Sequence, residues 1–216
     1  MNKEFVKRII SSIVLIPISL YVIIQGSFLF NCFILICFII TSYEWNMISK
    51  KKSYKIFGYL FLIISFICSY LMYNSGPYGF VHNSGAGLYL FLGTLLICIS
   101  TDLGGYIFGK ILKGPKLTKI SPNKTYAGVF GGYMLSIIFL SIYFNYNDQN
   151  FELENFLMII MISTISQIGD IIVSYFKRLS NVKNTGKLIP GHGGILDRID
   201  GMIFAFPFYY ILHLII

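Results

Sequence analysis

Between Ser174 and Asp200 the chain reads SYFKRLSNVKNTGKLIPGHGGILDRID, which sets Lys177, Arg178, Lys183, Lys187 and Arg198 around Gly191-His192-Gly193-Gly194. It closes on Asp197 and Asp200, one helical turn apart. Cations, glycine amides that can approach a ligand closely, and carboxylates suit a phosphate-rich ligand and a hard divalent cation. A plain loop turn would also use those glycines. His192, flanked by glycines, has little side chain around it and could donate to a phosphate or act as an acid. Asp197 and Asp200 at i, i+3 share one face if Asp197 begins the last helix, with Arg198 beside them. Such a pair serves a magnesium site and is equally compatible with helix capping.

A second polar loop, Lys116–Gly128, reads KLTKISPNKTYAG. Ser121-Pro122 predicts a turn. Lys124 and Thr125 then precede a helix opening with Gly128, Gly131 and Gly132, an arrangement like a phosphate cradle at a helix N-terminus. It lacks the glycine spacing of a Walker A loop.

Two further acids stand inside apolar sequence. Asp102 lies eight residues before Lys110, and Asp170 lies seven before Lys177. At helical rise each is about 10–12 Å inside the same membrane boundary. A carboxylate at that depth must be paired, coordinated or wet. Equal depth suggests one polar cavity, and hydrogen bonding to Thr101, Tyr106 or Ser174 is the bland alternative.

The elements that must position these groups are membrane helices. Apolar residues make up 56% of the 216 positions and charged residues 12%, and the mean hydropathy is +0.72. A span needs roughly 20 apolar residues. Residues 9–43 carry no charge and are too long for one span, so Gln25-Gly26-Ser27 makes them a hairpin of two. Further spans are expected at Ile56–Tyr73, Leu88–Gly109, Tyr126–Phe144, Phe156–Phe176 and Gly201–Ile216. The N-terminal run, with no small-residue cleavage site after it, is expected to be an uncleaved helix. The reading is an all-α integral membrane protein of about seven transmembrane helices. It forms one domain, residues 1–216, with N-terminal helices over 1–85 and catalytic helices over 86–216 that carry loops 110–125 and 177–200.

In a seven-span arrangement all 17 Lys and Arg residues fall on one side. The positive-inside rule then places the N-terminus and the polar cavity toward the cytoplasm. The net charge of +8 invites a nucleic-acid reading, but the apolar spans leave no room for a soluble basic domain, so no nucleic acid is expected. Anionic lipid and a phosphorylated substrate are the better partners. Cys32, Cys37, Cys68 and Cys98 lie in apolar spans and are expected to pack rather than bridge or bind metal.

The pattern Ser174-x-Phe176-Lys177-Arg178, Lys183, Gly186, Leu188-Ile189-Pro190, His192-Gly193-Gly194, Asp197-Arg198-Ile199-Asp200 resembles the signature of the phosphatidate cytidylyltransferase family. Asp102-x-x-x-Tyr106-x-x-Gly109-Lys110 with Lys119–Gly132 is similar to the family's other cytoplasmic motif. Two positions depart: Asn184 follows Lys183 where an acid is usual, and Ala127 stands where an acid or amide is frequent.

The resemblance implies transfer of a cytidylyl group from CTP to phosphatidic acid, giving CDP-diacylglycerol and diphosphate, with Mg²⁺ as cofactor. It implies Asp170 and Asp197 as metal-binding acids, with Asp102 and Asp200 as further candidates. Lys177, Arg178 and His192 join the acids as catalytic residues. Ser121, Lys124, Thr125, Lys183, Gly193, Gly194 and Arg198 would bind substrate. A bacterial inner membrane location, a cytoplasm-facing site and a homodimer complete the expectation. The rival readings are a CTP-dependent polyprenol kinase, which would need a general base for its alcohol, and an ion-coupled transporter, which would make no product.

Overall fold

The computed structural model describes residues 3–50, 52–74, 84–118, 120–189, 191 and 193–215. Every element longer than an isolated bridge is helical among them: α1 (Lys3–Gln25), α2 (Ser27–Ile48), α3 (Lys55–Asn74), α4 (Ser84–Ile111), α5 (Tyr126–Tyr146), α6 (Leu153–Leu179), α7 (Leu196–Ile199) and α8 (Met202–Ile215). The expected hairpin break falls where the sequence puts it. Gly26 takes φ 64, a backbone state that glycine adopts without steric cost.

Helices α2 to α6 are each long and apolar enough to cross a membrane, while the apolar part of α1, Ile13–Gln25, and α8 are shorter. Their outward faces carry Phe28, Ile39, Ile64, Phe130 and Ile142, all exposed. Hydrocarbon is the solvent that such faces fit, and the chain is an integral membrane protein.

Two compact units divide the chain, Met1–Tyr70 with Phe176–Ile199, and Leu71–Tyr175 with Asp200–Ile216. In the first unit, Trp45 on α2 is the central packing residue. Its indole Nε1 donates to the Lys55 carbonyl at 3.0 Å. Its ring meets Phe176 edge-on at 5.2 Å and Tyr54 at 5.9 Å. Gly58 lies flat against the indole, where a Cβ would collide. The Tyr54 hydroxyl meets that of Ser180 at 3.3 Å, and Ser180 also donates to the Ile48 carbonyl.

In the second unit α4 and α5 approach through glycine. A Cβ at Gly104 would strike the Gly131 carbonyl, and one at Gly128 would come within 2.8 Å of the Gly105 carbonyl. Close backbone approach of this kind is how helices gain packing in lipid, where apolar burial gives no driving force. Helix α6 joins by hydroxyls: Thr101 meets Ser163 at 2.8 Å and Tyr133 meets Thr164 at 2.9 Å. Phe206 of α8 packs on Phe91 at 4.7 Å. All four cysteines are free.

The last helix, α8, begins at Met202, in line with the expected span Gly201–Ile216. Asp197 does not open the last helix; it lies in the single turn α7, and α8 starts after Asp200-Gly201. The Asp200 carboxylate takes the Gly201 amide at 3.1 Å, a local side-chain bond that competes with helix continuation. The Gly201 carbonyl then accepts from Phe204 and Ala205 to start α8.

Candidate active site

In the first unit the signature loop folds around Asp197. Its Oδ1 accepts from Lys177 Nζ at 2.9 Å, and its Oδ2 accepts from the amides of Thr185 at 2.8 Å and Gly194 at 3.0 Å. The Asp197 side chain is only 6% exposed. A carboxylate so far from water is tolerated because charge-assisted bonds replace its hydration. Ile189 and Gly193 exchange backbone bonds of 2.9 and 3.1 Å. Gly193 holds φ 94, and a Cβ there would approach Asp197 Oδ2 to 2.8 Å.

The glycine amides expected to face a ligand therefore donate to protein acceptors. Gly193 donates to Ile189, and Gly194 donates to Asp197. The missing Cβ of Gly194 serves a different purpose, because it would collide with Glu44 and Thr185.

Glu44 is the residue that sequence reasoning missed. It follows the charge-free run by one position and reads as the polar end of a span. In the fold it is 3% exposed. Its carboxylate accepts the Thr185 hydroxyl at 2.8 Å, the Ile195 amide at 2.9 Å and the Leu196 amide at 2.8 Å. The available signal was the acid itself, set beside Trp45 at the end of an apolar helix.

In the second unit Asp170, on α6, forms an ion pair with Lys124 from the loop before α5. Lys124 also lies 3.4 Å from the Gln167 carbonyl, and the Ser174 hydroxyl lies 3.4 Å from Asp170 Oδ1. The Asp170 side chain is 25% exposed. The turn expected at Ser121-Pro122 forms. The Lys124 amide donates to the Ser121 carbonyl at 3.0 Å across Pro122-Asn123, and Leu117 donates to the Lys124 carbonyl at 2.8 Å. Thr125 caps α5, its Oγ1 accepting from the Gly128 amide at 3.1 Å. That hydroxyl satisfies one of the free amides at the helix start.

The remaining predicted residues take varied positions. Arg178, Lys183 and Arg198 are exposed, Asp102 is exposed on α4, and Asp200 is buried. Thr101, a proposed partner for Asp102, instead meets Ser163. His192 lies outside the described residues.

Among the described residues no three His, Cys, Asp or Glu side chains gather as a ready metal cage. The donors fit magnesium in another way. Mg²⁺ is typically held by one or two carboxylates, with phosphate oxygens and water completing its shell. Asp170 and Asp197 each offer hard carboxylate oxygens beside a lysine ammonium.

Apolar helices, with two carboxylate–lysine pairs on the helices, turn and loop around them, define an integral membrane protein. The model of the cytidylyltransferase family matches residues 64–216, and the chain belongs to that family. It is similar to a phosphatidate cytidylyltransferase of Staphylococcus epidermidis, 36% identical over 178 residues that cover 81% of this chain and 65% of that protein. The phosphatidate cytidylyltransferase of Staphylococcus haemolyticus is 35% identical with the same coverage. That of Rickettsia typhi is 33% identical over 212 residues, 94% of this chain and 89% of the relative. The chain thus spans somewhat less than two thirds of the length of the two staphylococcal proteins and most of the rickettsial one.

Proposed function

We propose that this chain transfers the cytidylyl group of CTP to phosphatidic acid, forming CDP-diacylglycerol and diphosphate. The carrying observation is the signature loop folded on Asp197, with Lys177 of the same signature against the carboxylate. Family membership and the names of the relatives support the choice of nucleotide and lipid.

In the proposed reaction a phosphatidate oxygen attacks the α-phosphorus of CTP. The bond from that phosphorus to the bridging oxygen of the β-phosphate breaks, and the electron pair leaves with diphosphate. The lipid phosphate is already ionised at neutral pH, so no protein nucleophile or base is required. Catalysis then rests on positioning and charge neutralisation. Asp170 and Asp197 are proposed as the magnesium-holding carboxylates, with Asp102 and Asp200 as further acids offered to cations. Bound there, Mg²⁺ would neutralise phosphate oxygens. Lys124, Lys177, Arg178, Lys183 and Arg198 supply cations for the triphosphate and the lipid phosphate. Ser121, Thr125, Gly193 and Gly194 shape the loops that receive them, and His192 is proposed to orient or protonate a phosphate.

A seven-span arrangement with both loops facing the cytoplasm is supported by the one-sided placement of Lys and Arg, and the bacterial sources of the relatives support the proposed inner-membrane location. The test is incubation of the purified chain with radiolabelled CTP, Mg²⁺ and phosphatidate. Label in chloroform-soluble CDP-lipid is the expected result. Phosphorylation of an added polyprenol with no CDP-lipid would replace the proposal by a kinase, and no product with either lipid would leave transport.

A further inference from the structure

We infer that α2 sets the position of the Lys177–Asp197 pair through two adjacent residues, and that Glu44 is a positioning residue for Asp197. The inference rests on the reading of Asp197 as part of the transferase site. It assigns Glu44 no contact with substrate.

The loop amides carry the argument. Gly194, Ile195 and Leu196 are consecutive, and their N–H groups divide between two carboxylates. Gly194 donates to Asp197, while Ile195 and Leu196 donate to Glu44. Thr185 divides in the same way, its amide going to Asp197 and its hydroxyl to Glu44. A shift of the loop away from Glu44 therefore strains the bonds that hold Asp197. Neither acid can be served alone.

Space is also reserved for Glu44. A Cβ at Gly186 would come within 2.8 Å of Glu44 Oε1, and one at Gly194 would collide with the other oxygen. Two glycines of the signature are accounted for by the approach of this carboxylate. The neighbouring Trp45 acts at the other end of the pair. It packs on Phe176 at 5.2 Å, and the next residue along α6 is Lys177, whose ammonium reaches Asp197. Consecutive residues of α2 thus hold the base of the lysine and the loop of the aspartate. A group placed by such over-determined contacts keeps the geometry that transfer chemistry demands, where a shift of about 1 Å costs on the order of a hundredfold in rate.

Glu44→Gln is the primary test, because the amide keeps the size but replaces one acceptor oxygen by a donor facing N–H groups. Hydrogen–deuterium exchange on the full chain in detergent reads the coupling without any need for activity. Exchange is expected to rise at Thr185 and Gly194, which bind Asp197, as well as at Ile195 and Leu196, with α4 and α5 unchanged. In the CTP assay kcat should fall by about ten- to a hundredfold while KM for CTP stays within about twofold. Thr185→Ser should behave as the parent, and Thr185→Val should share part of the Glu44→Gln loss without adding to it in the double variant.

A rise confined to Ile195 and Leu196, or parental kcat in a folded Glu44→Gln protein, overturns the inference. Should Glu44→Gln not fold, the Thr185→Ser and Thr185→Val pair decides by the same readouts: equal behaviour of the two overturns it. A parent chain that makes no CDP-lipid defeats the proposed function, whereas the exchange result still decides the role of Glu44.

Discussion

Lys177–Asp197 in the first unit and Lys124–Asp170 in the second have the same chemistry and different construction. Asp197 is wrapped by backbone, with two amides on one oxygen and an ammonium on the other. Asp170 projects from the middle of a regular helix, and its closest partners are side chains, Lys124 and Ser174. Exposure follows the construction: 11% and 6% for the side chains of Lys177 and Asp197, 24% and 25% for Lys124 and Asp170. The difference teaches that one carboxylate is an organising centre of its loop, while the other is carried by a helix that forms without it. Under the proposed function, the first would make chemistry and folding share the same atoms. In the second they would be separable.

The largest expected effect tests that separation directly. Asp170→Asn and Asp197→Asn should each reduce CDP-lipid formation by at least about a hundredfold, the scale of losing a group that stabilises transition-state charge. Only Asp197→Asn should also lower the thermal unfolding midpoint, by an amount equivalent to about 1–3 kcal/mol, because the substitution removes the charge and one of the two oxygens that two amides and an ammonium share. Equal destabilisation by the two substitutions would dissolve the contrast.

Glycine replacements sharpen it next. Gly194→Ala and Gly104→Ala should each cost about 1–3 kcal/mol through overpacking, the first against Glu44 and Thr185, the second against the Gly131 carbonyl. Gly194→Ala should also speed amide exchange across residues 183–199, and Gly104→Ala should leave that segment unchanged. A smaller effect is expected at the cap of α5. Thr125→Ala should lower stability by about 1 kcal/mol, and Thr125→Ser should restore it. The smallest belongs to Asn184→Asp. Asn184 is exposed, and a substitution of that kind should alter stability by no more than about 0.5 kcal/mol with turnover near that of the parent. A large loss of turnover would mark the site as organised differently from that of its relatives.

Much of the fold is legible in the chain because its rules are local. Uninterrupted apolar runs of sufficient length form helices in lipid, since no other open structure satisfies the backbone there. The positions of α1 to α6, the break at Gly26 and the turn at Ser121-Pro122 all follow from neighbouring residues. Parts of the candidate site are legible for the same reason: Asp170 is a charge inside an apolar run, Asp197 follows a glycine-rich turn, and Lys124 and Lys177 stand in cationic segments at the ends of apolar helices. Their pairing is not. Asp102 and Asp170 have similar sequence spacing from a following lysine, and nothing local to either records that Asp170 pairs with Lys124, from a loop 46 positions earlier.

By itself, then, the sequence determined that this is a helical membrane protein, through hydropathy and the length of its apolar runs. Tertiary structure alone decided what the signature loop folds upon. Glu44 reaches Ile195 and Leu196 across 151 and 152 positions, and no periodicity records such a bond. The physical reason is that buried carboxylates must find donors wherever packing brings them. Helix formation is governed by residues a few places apart, whereas the partners of a buried charge are chosen by the folded chain.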